Sequence, residues 1–515
     1  MGKKKGSYSV SSIVFETFRS DKSLSELAPS TEHTRHYDNH HGVHWIVGSL
    51  LIVGEVAGGG LVALPSSLVN AGLYVGVLLT VIAAIAAAYT GAQLGKNWIM
   101  MRDRWPEYRQ TCRKPYPEMA YRAVGPWGRS FMSVLIAVQQ FGLAVVFLLL
   151  AAQNISSFMY TLFSIKLSFC FTALLVSAIL LPLLMLASPK DFWQAAVIAA
   201  LSTTVAVILI FIAASHDFAT CRSNAEYETT RNFQIQKFFL AYGTIIFSYG
   251  GHSCFPTFQH DMKKPHEFTK TIILAYSLII LLYLPISVFG YTVYGLSLGP
   301  SVIDSLQQMW AQQATNILIT VHVTFTELLI ISPLSLEVEE IFGVPKHFTY
   351  RRVISRSLIM LAILFTALSV PKFGVILDLI GGSTMTLLAL ILPGVFYLYL
   401  TAGKRKRTEM IKIGAVAEDS EDEEFASFGD VIRYNKKWIL FVNVFIIIFG
   451  LIGGVTSSVS ALFELITTHF DTPCYIQAFQ GFDFTQKGGK VNCCGKYLNL
   501  TVDPTIDATT FCALR

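Results

Sequence analysis

Apolar residues in this chain gather into runs of about twenty, the length a helix needs to cross a hydrocarbon core about 30 Å thick. The runs lie at 45–70, 72–95, 130–153, 168–187, 193–214, 237–257, 269–291, 314–336, 353–370, 373–400 and 438–465. A bilayer offers the backbone no hydrogen-bond partner, so each run must satisfy its own amides as a helix. The runs lack the period-two alternation of a membrane β-barrel strand. The pattern therefore predicts an all-α polytopic membrane protein with eleven spans.

Composition agrees. Of 515 residues, 53% are apolar and only 14% charged, whereas about a quarter of a soluble domain is charged. Residues 1–40 are polar and lack the apolar core of a signal peptide, so the first span must act as the membrane signal. The start, Met1-Gly2 followed by Lys3-Lys4-Lys5-Gly6, nearly matches a myristoylation motif but has no Ser or Thr at position 6.

The net charge of +5 says less than its placement. With the N-terminus cytoplasmic, the inside segments hold 30 of the 39 Lys and Arg residues and the outside segments 9. Basic residues translocate poorly, so this asymmetry sets the orientation. An odd number of spans then puts the C-terminus in the extracellular or luminal space. The expected organisation is a disordered cytoplasmic tail (1–44), a five-helix block (45–214) and a second one (237–400). A charged cytoplasmic loop (401–437), an eleventh helix (438–465) and an outer tail (466–515) follow.

That outer tail carries Cys474, Cys493, Cys494 and Cys512, half the cysteines of the chain, and the sequon Asn499-Leu500-Thr501. Both suit an oxidising compartment and predict disulfide bonds and glycosylation at Asn499; unpaired thiols and an unused sequon are the plainer alternative. Four cysteines allow three pairings, and adjacent Cys493 and Cys494 are expected to take different partners. In the cytoplasmic loop, Lys404-Arg405-Lys406-Arg407 reads as a topology anchor that can also touch anionic lipid. The acidic run 418–424 reads as disordered.

Two spans are interrupted. Span one reads Glu55-Val56-Ala57-Gly58-Gly59-Gly60-Leu61, with Leu64-Pro65 beyond; span six reads Tyr249-Gly250-Gly251-His252-Ser253-Cys254-Phe255-Pro256. Consecutive glycines are poor helix formers, and proline has no N–H to donate. Each broken span opens a block of five, and the two run in opposite directions, as an inverted-repeat transporter requires. Unwinding frees amides that can hold a carboxylate and carbonyls that can hold a cation. Glycine also serves close helix packing, so packing is the competing explanation.

At these residues the sequence resembles the amino acid/auxin permease family. The glycine-rich break of span one, and Tyr249-Gly250-Gly251-His252-Ser253-Cys254-Phe255-Pro256-Thr257 followed by Met262-Lys263, are similar to its vacuolar and proton-coupled amino-acid transporter branch. The resemblance covers about 45–465 and leaves out the cysteine-bearing tail. It implies a LeuT-like five-plus-five inverted repeat with an eleventh transmembrane helix. It also implies secondary transport of amino acids with H⁺, or in some members Na⁺, as the coupling ion, and substrate held at the breaks in spans one and six.

The candidate substrate-binding residues are Gly58, Gly59, Gly60, Leu61, Tyr249, Gly250, Gly251 and His252. Candidates for ion or proton coupling are Glu55, His252, Thr324 and Glu327. An ionisable group at mid-membrane depth marks an ion or proton path by default, which favours Glu55 and Glu327 over buried packing. His252 suits a proton relay, since imidazole changes charge near neutral pH, or equally a structural hydrogen bond to freed backbone. Thr324 and Thr326 can offer oxygens to an ion or bond their own helix carbonyls. Gln139 and Gln140 can contact substrate or bridge helices. Asp378 is expected near the outer end of span ten, facing water, and Lys263 and Lys264 as anchors.

No phosphate-cradling Gly-x-x-x-x-Gly-Lys-Ser/Thr motif and no zinc-type Cys/His spacing is present, so neither an enzyme nor an ATP-driven pump is expected. No cofactor, metal or nucleic-acid partner is called for beyond the coupling ion, the amino-acid substrate and the lipid bilayer. The oligomeric state is left open, a monomer being sufficient. Plasma membrane and endolysosomal or vacuolar membrane both fit. Two rivals stand beside the proton-coupled carrier: a Na⁺-coupled carrier of the same fold, and an amino-acid sensor with little flux.

Overall fold

The computed structural model describes residues 42–109, 112–165, 167–186, 193–222, 225, 227, 234–345, 347, 349–417, 425–467, 473–476, 491–492 and 501–502. Every apolar run meets helix. The first holds α1 (Trp45–Val56) and α2 (Gly59–Ala71), bent by 58°. Next come α3 (Leu73–Arg104), the short α4 (Pro115–Val124), α5 (Pro126–Phe163), α6 (Phe169–Leu186) and α7 (Trp193–Cys221). The sixth run holds α8 (Ile235–Tyr249) and the one-and-a-half-turn α9 (Phe255–His260), and α10 (Phe268–Tyr294), α11 (Met309–Ile341) and α12 (Tyr350–Ser369) follow. The last long elements are α13 (Phe373–Lys412), the short α14 (Phe428–Tyr434) and α15 (Lys437–Thr467). Among the described residues, eight helices are long and apolar enough to cross a membrane, and α1 with α2 makes a ninth. The chain is an all-helical polytopic membrane protein.

The helices outrun the apolar runs where polar residues are good helix formers. Gly125, at φ 92°, closes α4, and Pro126 then starts α5 at its first position. At the other extreme α13 continues to Lys412, so Lys404–Arg407 lies on a helix and not in a loop. Lys and Arg propagate helix well, and cations near a C-terminus complement its dipole. α14 opens with a reciprocal Ser427–Asp430 capping box and folds back on α13. Lys406 Nζ lies 3.2 Å from Asp430 Oδ2, and Asn435 Nδ2 donates to the Leu398 carbonyl at 2.9 Å. Within 401–437, residues 401–412 and 428–434 are therefore helix, and the acidic run 418–424 lies outside the described residues.

α15 turns large apolar residues outward and, from Gly450 on, small ones inward. Phe441, Phe445, Ile448, Ile452, Val455 and Val459 are exposed along one side, as lipid contact requires. Gly450, Gly453, Gly454 and Ser457 are buried on the other, letting the backbones approach. The Tyr242 ring of α8 covers Gly453, and a Cβ at Gly454 would lie 2.7 Å from the Gly382 carbonyl of α13. There α13 is wound as π-helix, over Gly381–Met385 and again over Leu387–Ile391.

Beyond α15, Cys474 is disulfide-bonded to Cys170 at the start of α6, with Cα atoms 5.6 Å apart. Its partner lies 304 residues away in sequence, which corrects the expectation that it pairs within the tail. Spacing along a tail carries no information about which distant helix end the tail passes. Tyr475 stacks on Phe365 of α12 at 5.5 Å, and Cys221 is also disulfide-bonded. Cys493, Cys494, Cys512 and Asn499 lie outside the described residues.

At the opposite end, the chain entering α1 pairs with the chain leaving α9. Val43 N–H donates to the Asp261 carbonyl at 2.9 Å and Lys263 N–H to the Val43 carbonyl at 2.7 Å. Lys263, expected only as a charge anchor, thus also contributes its backbone.

The two breaks have one architecture. α1 ends at Val56 and α2 resumes at Gly59; α8 ends at Tyr249 and Gly250 turns extended, at φ −78° and ψ 143°. A carbonyl freed in the middle of a membrane must find a donor. Tyr283 of α10 donates its hydroxyl to the Val56 carbonyl at 2.8 Å, and Tyr276, two turns earlier on the same helix, donates to the Tyr249 carbonyl at 2.9 Å. The glycines let helices meet: a Cβ at Gly60 would stand 2.5 Å from the Ser248 Cα, and one at Gly58 would run into the His322 ring.

Two tests follow. Cys170→Ser should expose Cys474 to maleimide labelling, which it resists in the wild type, and cost about 2–4 kcal/mol of stability, as loss of a disulfide does. Labelling of Cys474 in the oxidised wild-type protein would contradict the bond. Tyr276→Phe should cost about 1–3 kcal/mol by leaving the buried Tyr249 carbonyl without its donor, and Tyr283→Phe less, because the Val56 carbonyl keeps the Gly58 N–H at 2.9 Å. Thermal unfolding in detergent measures this, with Gly60→Ala expected to lose more than Gly59→Ala.

Candidate substrate site

Where the two breaks face each other, one cavity forms. Glu55 and Val56, at the end of α1, and Gly59 and Gly60, at the start of α2, supply one side. Phe247, Gly250 and Gly251 supply the other, from the end of α8 and its break. The wall is completed by Gln139, Leu143 and Phe147 from α5, Ile330 from α11 and Met385 from the first π-helical turn of α13. The α5 residues follow at four-residue steps and so share one face. The space they enclose admits about one water molecule.

Its polar equipment is small and specific. α2 begins at Gly59 with no capping side chain, so its first amides and the positive end of its dipole point to the break. The Glu55 carboxylate accepts from the Cys254 thiol, Sγ to Oε1 3.5 Å, which joins the end of α1 to the residue before α9. Gln139 Nε2 lies 3.2 Å from the Met385 sulfur, and Gln139 Oε1 has no hydrogen-bond partner among the described residues. No cation lines the wall.

The expected residues divide. Glu55, Gly59, Gly60, Gly250 and Gly251 share the cavity wall; Gly58, Leu61, Tyr249 and His252 do not. Gly58 is taken up by the His322 ring, and Leu61 is fully buried one turn into α2. Tyr249 packs between Tyr276 and Tyr283, with ring centroids 6.4 and 5.4 Å away. His252 turns to α3: its Nε2 lies 3.0 Å from the Ala87 carbonyl and 3.3 Å from Thr90 Oγ1. The expected alternative to a relay is a bond to freed backbone; the carbonyl His252 meets belongs instead to the unbroken α3.

On α11, Glu327 is fully buried, and neither carboxylate oxygen has a hydrogen-bond partner in the protein. It stands three residues before Ile330 of the cavity wall, on the same side of the helix. Thr324 is half-buried one turn earlier, and Thr326 bonds back to the His322 carbonyl at 2.9 Å. Asp378, expected to face water, is instead buried and accepts from the Thr244 hydroxyl of α8. Its position at the start of α13 is covered by α8 and α15, which hydropathy along α13 alone does not reveal.

Sequence reasoning missed three contributors. His322 holds α7 to the first break: its Nδ1 lies 2.8 Å from Thr203 Oγ1 and 3.1 Å from the Ala199 carbonyl. An imidazole in an apolar span was a visible signal for it. Tyr276 and Tyr283 gave a similar one, two hydroxyls seven residues apart in an apolar run. The apolar wall of Phe147, Phe247, Ile330 and Met385 gave none, because such residues face lipid equally well.

A sequence model of the family described as "Transmembrane amino acid transporter protein" matches residues 41–417. Among curated Arabidopsis thaliana proteins, "Amino acid transporter AVT1D" is 24% identical over 80% of this chain and 68% of its own length. "Amino acid transporter AVT1H" is 27% identical over 71% of this chain and 84% of its own. The chain spans roughly two thirds of the length of the first Arabidopsis relatives it matches. A crystal structure of MhsT in complex with L-phenylalanine superposes with a TM-score of 0.52 over 82% of this chain and all of that one. At 12% identity this likeness concerns the fold alone, which is LeuT-like, as the resemblance implied. Such proteins are transporters and not enzymes, and the chain belongs to the transmembrane amino acid transporter family.

Proposed function

We propose that this protein is a secondary active transporter of amino acids, coupled to protons, which alternates access around the cavity between the two broken helices. The observation that carries the reading is the coincidence of that cavity with both breaks, with a carboxylate in its wall. The substrate α-carboxylate would take the open amides at Gly59 and Gly60, where the α2 dipole favours an anion. Its ammonium would be drawn to Glu55, the one acid on the wall. In the arrangement proposed, α1 to α7 form the first five spans, α8 to α13 the second five, with α15 the eleventh, the N-terminus cytoplasmic and the C-terminus extracellular or luminal.

A cavity with room for about one water is too small for an amino acid, so this conformation is a closed one. Binding then requires the halves on either side of Gly58 and Gly250 to part. The glycine linkers are where backbone can turn without moving whole helices.

The choice of proton over Na⁺ rests on the breaks. Hard cations are held by convergent oxygens, yet Val56 and Tyr249 already spend their end carbonyls on tyrosine hydroxyls. A carboxylate that can gain and lose a proton needs no such cage. Glu327 is a second such group; since it lies outside the cavity wall, it would act through the movement of α11 and not by touching substrate.

Proteoliposomes with an imposed pH gradient, with and without Na⁺, test the reading. Uptake of a panel of amino acids should follow the pH gradient without Na⁺. Glu55→Gln should lower gradient-driven accumulation at least tenfold. Uptake that needs Na⁺ and ignores the pH gradient would exchange the coupling ion; binding without counterflow would replace transport by sensing.

A further inference from the structure

A buried amide with a free oxygen is out of place in an apolar wall. Gln139 is only 1% exposed. Its one hydrogen-bond contact is the Met385 thioether, a weak acceptor. Its Oε1 has no partner among the described residues, although an unmade hydrogen bond in a buried site is costly. The other wall residues that a substrate side chain would meet, Leu143, Phe147, Phe247 and Ile330, offer only carbon.

The arrangement has a direction. Gly59, where the α-carboxylate is placed, packs against Phe147: a Cβ there would lie 3.3 Å from the ring. Gln139 is eight residues back along the same face of α5, about 12 Å by helical rise. Its own side chain covers part of that distance and the substrate side chain the rest, passing Leu143. A short side chain ends before it reaches Gln139. A long apolar one arrives and leaves Oε1 still unpaired.

We propose that Gln139 is a specificity-determining residue that pairs with the tip of a long, uncharged amino-acid side chain ending in a carboxamide or a hydroxyl. Such a tip donates to Oε1, and its own oxygen can accept from Nε2 in place of the sulfur. A charged tip is disfavoured because, apart from Glu55 at the opposite end, the wall carries no ion to balance it. This inference rests on the transport function proposed above and narrows its substrate.

The test uses pairs of nearly equal shape in the reconstituted full-length protein: L-glutamine against L-methionine, and L-tyrosine against L-phenylalanine. In the wild type the hydrogen-bonding member of at least one pair should compete for uptake at least tenfold better than its apolar partner, since a site built around a hydrogen bond rejects the analogue that lacks it. The pair that discriminates tells carboxamide from hydroxyl. In Gln139→Met the ratio should fall to about one; because it is a ratio, the amount of folded protein drops out. A wild-type ratio near one in both pairs overturns the inference even where the variant fails to fold, as does a variant that keeps its discrimination. If other amino acids are taken up while neither pair competes, the role of Gln139 fails and transport stands. If no amino acid is taken up, both fail.

Discussion

Breaking a helix in the middle of a bilayer strands backbone groups where no water can reach them, and the rest of this structure is arranged around meeting that demand. Both breaks are served by one helix. Tyr276 and Tyr283 of α10 donate to the last carbonyl before each break. Because they stand two turns apart on a rigid rod, they also fix how far apart the two breaks lie. The cavity is what that separation leaves open. Remove the hydroxyls, and the Tyr249 carbonyl loses its donor while that of Val56 keeps only the Gly58 N–H.

The glycines do a different task from the one their conformational freedom first suggests. Gly58 and Gly60 are points of contact, one with His322 and one with Ser248. Gly60 also joins Gly59, Gly250 and Gly251 in the wall of the cavity. Packing, set out as the alternative to binding for the glycine run, engages Gly58 and Gly60, while Gly59 and Gly60 line the cavity. A helix carries neighbouring residues to different faces, and three in a row cannot all look the same way.

This explains what the sequence could and could not tell. Helix positions were legible because burial in lipid demands long apolar runs, and the breaks because glycine and proline interrupt them visibly. Glu55 stood out for its charge. Azimuth was not legible: whether His252 looked into the cavity or toward Thr90 and Ala87 depends on which helix packs beside it. Apolar residues such as Phe147 and Met385 have no signature separating cavity from lipid. Long-range pairings, Cys170 with Cys474 above all, depend on where chain ends return in space.

The backbone pairing of Val43 with Asp261 and Lys263 gives this end of the molecule an unusual mechanical character. α1 and α9 are fastened at their membrane-surface ends by these hydrogen bonds and at their inner ends by the contact of Cys254 with Glu55. Two short rods pinned at both ends behave as one panel. Any displacement of the segment before Gly58 is therefore shared by the segment after Gly250, as in a single door with two hinges.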